Sequence, residues 1–334
     1  MKYYIGILAL VMSVLSCQKS TDAFDDSPSQ RNKQNLENLR QELYTAPYGW
    51  QLLYFPKTDS LLFANKDAIF AGDYSFEGDF GYGGFSFLIK FSEQGTLQMQ
   101  SDYTQESAVT QQSGEYEVRQ NTLSQLSFTT TNDLHKLMND QFTGVSDFLF
   151  VRKDFNGNLL FKSTRSLEPA RDYILLKKLP NEIAFSGDAT TANYTQKAYE
   201  NRIFFEQIAE PQLTIKRGDR IYFKSDFSKR INTYRRYAMF AFKTNPDAYS
   251  NSSWRMNVLG SGYSGTEEGL SFHTGFRYNS TLIFYDFKRD GDKFVCELVR
   301  VYDKIRKRYE YMSKHQAEAY GYEYEDTYYS AEIQ

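Results

Sequence analysis

The chain has 334 residues, a length that suits two domains of ordinary size. Its 39 basic and 42 acidic residues leave a formal net charge of -3, which argues against nucleic-acid binding because that function needs a basic face. Aromatic residues are abundant, with 27 Phe and 27 Tyr, and both types favour β-strands. We therefore expect a β-rich protein without a nucleic-acid partner.

The N-terminus carries a predicted export signal. Residues 5–15 form an apolar run that is too short to cross a bilayer as a helix. The stretch VLSC at 14–17 resembles the bacterial lipobox, in which the cysteine is acylated and becomes the first residue of the mature chain. We expect residues 1–16 to be a signal peptide and Cys17 to be lipidated, which would hold the chain to a membrane. An ordinary secretory signal with an incidental cysteine is the alternative.

Residues 17–27 are polar and acidic and are predicted to form a tether. Their sequence resembles the export tag that directs Bacteroidota lipoproteins to the outer face of the outer membrane. The tag-like residues are Gln18, Lys19, Asp22, Asp25 and Asp26. This resemblance implies a lipid-anchored protein at the cell surface. Cys296 is predicted to be a buried strand residue, and with Cys17 lipidated it would have no disulfide partner.

A helix is predicted after the tether. Ser27 is suited to the N-cap, Pro28 to the first helical position and Gln30 to a capping box. Leucines recur at helical spacing up to about Tyr44, at positions 36, 39 and 43. We expect this leucine stripe to pack on the first β domain.

The pattern then changes to short alternating runs that indicate about eight strands. The runs cover 83–91, 96–103, 114–120, 125–131, 147–154, 158–164 and 172–179, in addition to a strand at Trp50. Asn156-Gly157 predicts a hairpin turn, and Gly95 a second one. Such a meander closes most economically as an up-and-down barrel or folds as a sandwich. We assign residues 28–185 to this domain.

Residues 186–308 repeat the pattern and are predicted to form a second β domain. A short helix within 193–209 precedes further strand-like runs. The runs cover 212–218, 220–226, 235–244, 255–260, 269–275, 281–288 and 293–303. The fold class is therefore all-β, mainly antiparallel, as two tandem meander barrels or sandwiches with a short N-terminal helix. Residues 309–334, rich in Tyr and Glu, are expected to form a last helix or a loose tail.

No motif indicates catalysis or a cofactor. The three histidines stand far apart without zinc-type spacing, and the chain has no nucleophile elbow and no phosphate-binding glycine loop. An acidic loop offers oxygen ligands for calcium at Asp73, Glu77 and Asp79, although it lacks the EF-hand order and a solvated loop is the favoured explanation of these residues. Asp154 and the Arg217-Gly218-Asp219 tripeptide are predicted to belong to ordinary turns.

A group of aromatic residues surrounds the same glycine-rich loop. The group consists of Tyr74, Phe76, Phe80, Tyr82 and Phe85. Exposed rings stack on sugars or enclose apolar ligands, so these residues are candidate ligand contacts, together with His135 in a polar segment. The alternative is that the rings belong to the core.

Several motifs together resemble an uncharacterised lipoprotein family of the Bacteroidota, over about residues 15–180. They are the lipobox, Gly49-Trp50, GGFSF at 83–87, LSF at 126–128, Asn132, LH at 134–135 and SDFLF at 146–150. The resemblance implies an accessory of TonB-linked outer-membrane uptake systems and implies no catalytic residues. We therefore expect a non-enzymatic surface lipoprotein that binds a glycan, peptide or other nutrient for a transporter complex.

Two other functions remain open from the sequence. One is a structural or protein-interaction module of the cell envelope. The other is a hydrolase that uses a carboxylate pair, such as Asp73 with Glu77 or Asp79. A ring-lined pocket would favour ligand capture, whereas two carboxylates facing each other across a cleft would favour the hydrolase.

Overall fold

The structure is a computed structural model that describes residues 27–56, 83–138, 142, 144–154, 156–164, 172–179, 194–232, 236–243, 256–279, 281–304 and 307–334. Within these ranges the chain is mainly antiparallel β with few helices, which confirms the predicted fold class. The strands form one closed barrel and one separate, curled sheet.

The predicted N-terminal helix is present as α1, Pro28–Tyr44. Ser27 Oγ accepts a hydrogen bond from the backbone N–H of Gln30, and the Gln30 side chain accepts one from the backbone N–H of Ser27. This capping box satisfies two N–H groups that the helix start would otherwise leave unpaired. Leu39 and Leu43 are buried in the core of the barrel, where each contributes roughly 1.5–3 kcal/mol.

The first β domain is an eight-stranded closed barrel, one of the two architectures, barrel or sandwich, that its meander predicted. Its strands are β1 Trp50–Phe55, β2 Phe85–Phe91, β3 Thr96–Ser101, β4 Gln112–Gln120, β5 Ser124–Phe128, β6 Asp147–Lys153, β7 Leu159–Ser163 and β8 Tyr173–Lys178. Each strand pairs antiparallel with the next, and β8 closes the barrel on β1, with Trp50 opposite Lys178. Helix α2, Gln105–Val109, and a 3-10 helix, Asp133–Met138, lie in the connections.

The barrel interior is a packed aromatic and aliphatic core. Tyr54 and Phe148 meet edge to face with ring centroids 5.4 Å apart, and Phe85 meets Phe142 in the same way at 5.1 Å. All six residues of β1 are buried, because its outer face is also covered by the rest of the protein. This double burial explains why the sequence of β1 is almost continuously apolar rather than alternating.

The second β domain is a ten-stranded antiparallel sheet. Its strands are β9 Leu213–Arg217, β10 Arg220–Lys224, β11 Phe227–Asn232, β12 Tyr237–Lys243, β13 Met256–Gly265, β14 Gly269–Arg277, β15 Ile283–Asp290, β16 Lys293–Asp303, β17 Arg308–Ser313 and β18 Tyr324–Ile333. The spatial order is β10-β9-β18-β16-β15-β14-β13-β12-β11, and β17 pairs beside β16. The predicted domain boundary near 181–191 lies outside the described residues.

The segment 309–334 is not the terminal helix or loose tail expected from its composition. It forms most of β17, a short helix α4 at Lys314–Ala319, and β18. Strand β18 lies between β9 and β16 and hydrogen-bonds to both. Ala331 and Ile333 are fully buried in the core of the second sheet, so this segment is part of its centre.

Helix α3, Tyr194–Gln207, joins the barrel to the second sheet and confirms the predicted short helix. On one side, the Thr195 hydroxyl donates to the side chain of Gln100 on β3. On the other side, the Asn201 amide donates to the backbone carbonyls of Thr266 and Glu267, in the turn between β13 and β14. The helix is therefore packed between the two β domains.

Candidate functional site

A groove runs along α1 where this helix packs on the barrel; we call it the α1 groove. Its volume is about 460 Å³, within the range of about 300–1,000 Å³ that is usual for small-molecule sites. It is lined by Asn32, Asn35, Asn38, Leu39, Glu42, Gln120, Thr122, Leu123, Ser124, Phe150, Val151, Lys153 and Leu159. The lining thus combines neutral polar side chains with apolar ones.

The helix side of the α1 groove is a row of amides beside the leucine stripe. Residues three or four positions apart lie on one face of a helix, so Asn35, Asn38 and Glu42 form a flank next to the buried Leu39. The three asparagines of the lining are exposed to solvent. The Asn38 side-chain oxygen accepts a hydrogen bond from Gln34 at 3.1 Å, which orients its amide. The leucines fix the helix on the barrel and thereby position these amides.

The barrel side consists of the turn between β4 and β5, residues of β6 and the first residue of β7. In the turn, the Asn121 side chain accepts from the backbone N–H of Thr122 at 2.8 Å and donates to Gln125 at 2.7 Å. These bonds hold the turn in place. Leu123 is 41% exposed and Val151 is 43% exposed, so apolar surface faces the amides of α1.

The charged side chains of the groove lining neutralise each other. Lys153 Nζ lies 2.8 Å from Glu42 Oε2, and Lys178 Nζ lies 3.7 Å from the other oxygen of Glu42. These pairs are partly exposed and contribute at most about 1 kcal/mol each to stability. Their effect on the site is electrostatic: the lining presents no unpaired cation or anion within the described residues.

A second polar cluster is buried where the barrel meets the second sheet. Asp102, fully buried, accepts from Arg236 Nη1 with both side-chain oxygens, at 2.9 and 3.0 Å. Arg202 on α3 approaches the same carboxylate at 3.6 Å and donates to Glu206 at 2.8 Å. Glu206 also accepts from the Tyr263 hydroxyl at 3.0 Å. Two carboxylates therefore balance two guanidinium groups, as burial of charge requires.

Burial and neighbouring charges shift the pKa values in this cluster. Burial lowers the pKa of Arg236, and the nearby Arg202 lowers it further, while Asp102 opposes both effects. For Arg202, burial alone would lower the pKa, but Asp102 and Glu206 hold it above the usual value. Arg236 also lies over the Phe85 ring at 4.1 Å. We interpret this closed, neutral cluster as a structural junction between the β domains.

A further set of polar side chains links the barrel to the second sheet. Lys177 Nζ on β8 donates to Ser271 Oγ at 3.1 Å and lies 3.4 Å from Asp286. Burial alone would raise the pKa of Asp286, but Lys177 and a hydrogen bond from Ser271 hold it below its usual value. His273, two residues along β14, stacks on Phe55 with ring centroids 3.8 Å apart.

Of the candidate ligand residues, Phe85 and His135 lie within the described ranges. Phe85 is 2% exposed and packs in the barrel core. His135 lies on the 3-10 helix, partly buried, with Nδ1 3.1 Å from the Asn132 side-chain oxygen. Burial lowers its pKa, against a hydrogen bond with the Phe128 backbone. Phe85 is therefore a core residue, and its ring is not at the surface where a ligand would bind.

The other predicted site residues lie outside the described residues. They are Cys17, Asp73, Tyr74, Phe76, Glu77, Asp79, Phe80 and Tyr82. Lipidation of Cys17, the aromatic ligand group and the calcium ligands thus remain predictions. Among the residues that the structure describes, no three His, Cys, Asp or Glu side chains are grouped as metal ligands would be.

The two turn interpretations and the buried cysteine are confirmed. Asp154 accepts from the backbone N–H groups of Asn156 and Asn158, and Gly157 has φ +83° in the hairpin between β6 and β7. Gly218, with φ +54°, forms the turn between β9 and β10. Cys296 is buried in β16, and burial raises its pKa to about 12.

None of the α1 groove residues was predicted from the sequence to be a ligand contact. A usable pattern existed: asparagines at 32, 35 and 38 recur every three residues beside the leucine stripe. Asparagine is a poor helix former, so three of them on one helical face are unusual for a purely structural helix. The barrel side could not have been found in this way, because its residues come from strands that only the fold brings together.

The fold defines a class of two-part β protein, with a closed barrel joined through a helix to an antiparallel sheet. Residues 20–291 match the model of a protein family described as a domain of unknown function, DUF4302, so the chain belongs to that family. The match extends beyond the range of the resemblance seen in the sequence and reaches β15. No curated protein and no solved structure matches the chain.

One observation bears on the membrane. In the part of the chain that the structure describes, no helix has both the length and the apolar character needed to cross a bilayer.

Proposed function

We propose that this protein is a lipid-anchored, surface-facing protein of the outer membrane that captures a small nutrient in the α1 groove. In this proposal it passes the nutrient to a neighbouring TonB-linked transporter and does no chemistry on it. The observation that carries the proposal is the groove itself, an open cleft of small-molecule size with convergent polar groups on an apolar floor.

The position of the groove supports a role close to a membrane. Cys17, the proposed lipid site, precedes the first residue of α1, Pro28, by a short polar segment. At no more than about 3.5 Å per residue, that segment would keep α1 within about 40 Å of the acyl chains. A palmitate label on the wild-type protein that is absent from C17S would support the anchor, and equal labelling of both would refute it.

The lining of the groove supports binding without hydrolysis. Hydrolysis of a glycosidic bond ordinarily uses two carboxylic acid groups on opposite sides of the bond. Among the described residues, the groove lining contributes the carboxylate of Glu42, which is paired with Lys153. The Glu42 carboxylate is bound to a lysine and has no second carboxylic acid beside it among the described lining residues. This arrangement suits a binding site better than a hydrolytic one.

The experiment is to fill the groove and measure ligand binding. The mature chain from Cys17 to Gln334 would be tested for thermal stabilisation by a library of sugars, amino acids, short peptides, nucleosides and organic acids. V151W places an indole on the groove floor, and Val151 is exposed enough to accept it without disturbing the core. I221W is the matched control, because Ile221 is 57% exposed on the second sheet.

We expect at least one library compound to stabilise the wild type and I221W but not V151W, since binding raises apparent stability. A compound that stabilises V151W as strongly as the wild type would show that the ligand binds elsewhere. If no compound stabilises the wild type, capture of a small nutrient is wrong.

A further inference from the structure

We infer that the α1 groove takes a neutral polyhydroxy ligand, of the class of sugars and short oligosaccharides. This inference rests on the proposed function and adds the chemical class of the ligand. Three properties of the lining carry it: its hydrogen-bonding groups, its charge balance and its apolar floor.

The hydrogen-bonding groups of the lining match hydroxyls. An amide side chain offers both donors and acceptors, and so does a ligand hydroxyl. Asn32 and Asn35 on α1 are exposed at the groove, and Gln120 and Thr122 face them from the barrel rim. A carboxylate or phosphate ligand offers acceptors only, so it would use the amide N–H groups of the lining and leave the amide oxygens to water.

The charge balance disfavours an ionic ligand. Glu42 and Lys153 are the charged side chains of the lining and form an ion pair at 2.8 Å, and Lys178, beside the lining, lies 3.7 Å from the other oxygen of Glu42. An anion would have to compete with Glu42 for Lys153, and a cation with Lys153 for Glu42. Because an ion that leaves water without a partner loses much solvation energy, a neutral ligand suits this lining best.

The apolar floor matches the carbon face of a sugar ring. Leu123 and Val151 expose roughly two fifths of their surface, next to the partly buried ring of Phe150. A pyranose has C–H groups on its faces and hydroxyls around its rim, so one face can lie on this floor while the rim bonds to the amides. Aromatic and aliphatic contacts of this kind supply binding energy that hydroxyl contacts alone do not.

A peptide is the other neutral ligand class that amides could bind, and the barrel disfavours it. Extended peptides commonly bind by adding a strand to an open sheet edge. The groove strands β4, β5, β6 and β7 belong to a closed barrel and are paired on both sides. They therefore leave no row of free backbone groups for a peptide chain to pair with.

The test uses calorimetric titration of the mature chain with three kinds of probe. Neutral probes are glucose, galactose, mannose and xylose and their trisaccharides; trigalacturonate is the anionic probe, and trialanine amide with an acetylated, uncharged N-terminus is the peptide probe. The variants are N35A and N38A, with Q41A as the matched control. Gln41 is an exposed amide of the same helix that is not part of the groove lining.

We expect a neutral saccharide to bind the wild type, and N35A and N38A each to weaken its binding by about tenfold, the effect of one lost hydrogen bond. Q41A should bind like the wild type. Folding should be retained in all variants, because alanine is a better helix former than asparagine or glutamine.

The outcomes separate this inference from the proposed function. If trigalacturonate, trialanine amide or another charged or peptide ligand binds in a way that V151W abolishes, the function stands and the chemical class is wrong. A saccharide whose affinity is the same in N35A, N38A and Q41A would also overturn the class. If no compound binds the groove, both proposals fail.

Discussion

At the scale of single residues, His273 makes the stability of the protein depend on pH. It stacks on Phe55, its Nε2 has no hydrogen-bond partner within the described residues, and Lys177 is nearby. Burial, together with Lys177, lowers its pKa from the ordinary 6.5 to about 4. Between these two values the unfolded chain binds more protons than the folded one, so the free energy of unfolding falls as the pH drops through this window.

We predict that H273F reduces this pH dependence. Phenylalanine keeps a ring against Phe55 but cannot take up a proton. The wild type should lose up to about 3 kcal/mol more than H273F between pH 7 and pH 4, since each pKa unit corresponds to about 1.4 kcal/mol. Urea unfolding of both proteins across this range measures the difference. Parallel stability profiles would show that protonation of His273 does not oppose folding.

The residues of the two polar clusters show what a sequence alone could not reveal. Asp102 lies near the end of the predicted strand run 96–103, and Arg236 lies more than a hundred residues later. Their contact exists because the end of β3 meets the start of β12 across the junction. Pairing of this kind is a long-range consequence of the fold, with no local pattern that predicts it.

At the scale of elements, strand β18 makes the C-terminal segment part of the core of the second sheet. Ile333 is fully buried against the second sheet, opposite Phe294 on β16 and Leu213 on β9. We predict that I333A lowers the free energy of unfolding by about 2–5 kcal/mol, the usual cost of removing a buried isoleucine side chain.

The control is I221A, which makes the same substitution where 57% of the side chain is exposed. It should change the free energy of unfolding by less than about 0.5 kcal/mol. Chemical denaturation of both variants gives the comparison. Equal, small effects would mean that the C-terminal segment is a tail, as its composition first indicated.

The elements divide clearly into those that local patterns predict and those that they do not. The capping box follows from the residue types at the helix start, and the leucine stripe and the eight barrel strands follow from the spacing of apolar residues and from turn residues. The structure confirms each of them. Strands β11, β17 and β18 were missed. β18 contains few aliphatic residues and carries a bulge at Thr327 and Tyr328, where Tyr328 has φ +62°. Its strand state comes from pairing with β9 and β16, so tertiary context outweighs its composition.

At the scale of the whole molecule, the junction and the α1 groove lie on different parts of the barrel. The groove uses α1 and strands β4 to β7, whereas the buried polar contacts of the junction use β2, β3 and β8 with α3. The second domain also reaches the hairpin between β6 and β7, where the Tyr322 hydroxyl donates to Asn156. In the part of the chain that the structure describes, no residue of the second sheet lines the groove. If the barrel captures the ligand, the second sheet is free to serve another purpose, such as holding the barrel in a fixed orientation.

The two β domains are held so closely at Gly83 that a single methyl group should separate them. A Cβ at this position would fall 2.0 Å from the carbonyl oxygen of Arg236 and 2.8 Å from the backbone nitrogen of Tyr263. These are backbone atoms of the second sheet, so a side-chain rotation cannot relieve the overlap. The neighbouring Gly84 N–H also donates to the Tyr263 carbonyl at 3.1 Å, which fixes the chain at this contact.

We predict that G83A uncouples the barrel from the second sheet. The displaced contact would open the buried cluster of Asp102, Arg202 and Arg236 to water, and overpacking of this kind costs about 1–3 kcal/mol. In calorimetry the wild type should unfold in one transition, because the ionic cluster and α3 join the two cores, and G83A should show two transitions.

G114A is the control, since its added Cβ would lie 3.4 Å from Leu97 Cδ1, an ordinary contact inside the barrel. A single transition in G83A at the temperature of G114A would mean that the contact at Gly83 does not couple the domains. Retained saccharide binding in an uncoupled G83A would in turn assign the binding site to the barrel alone.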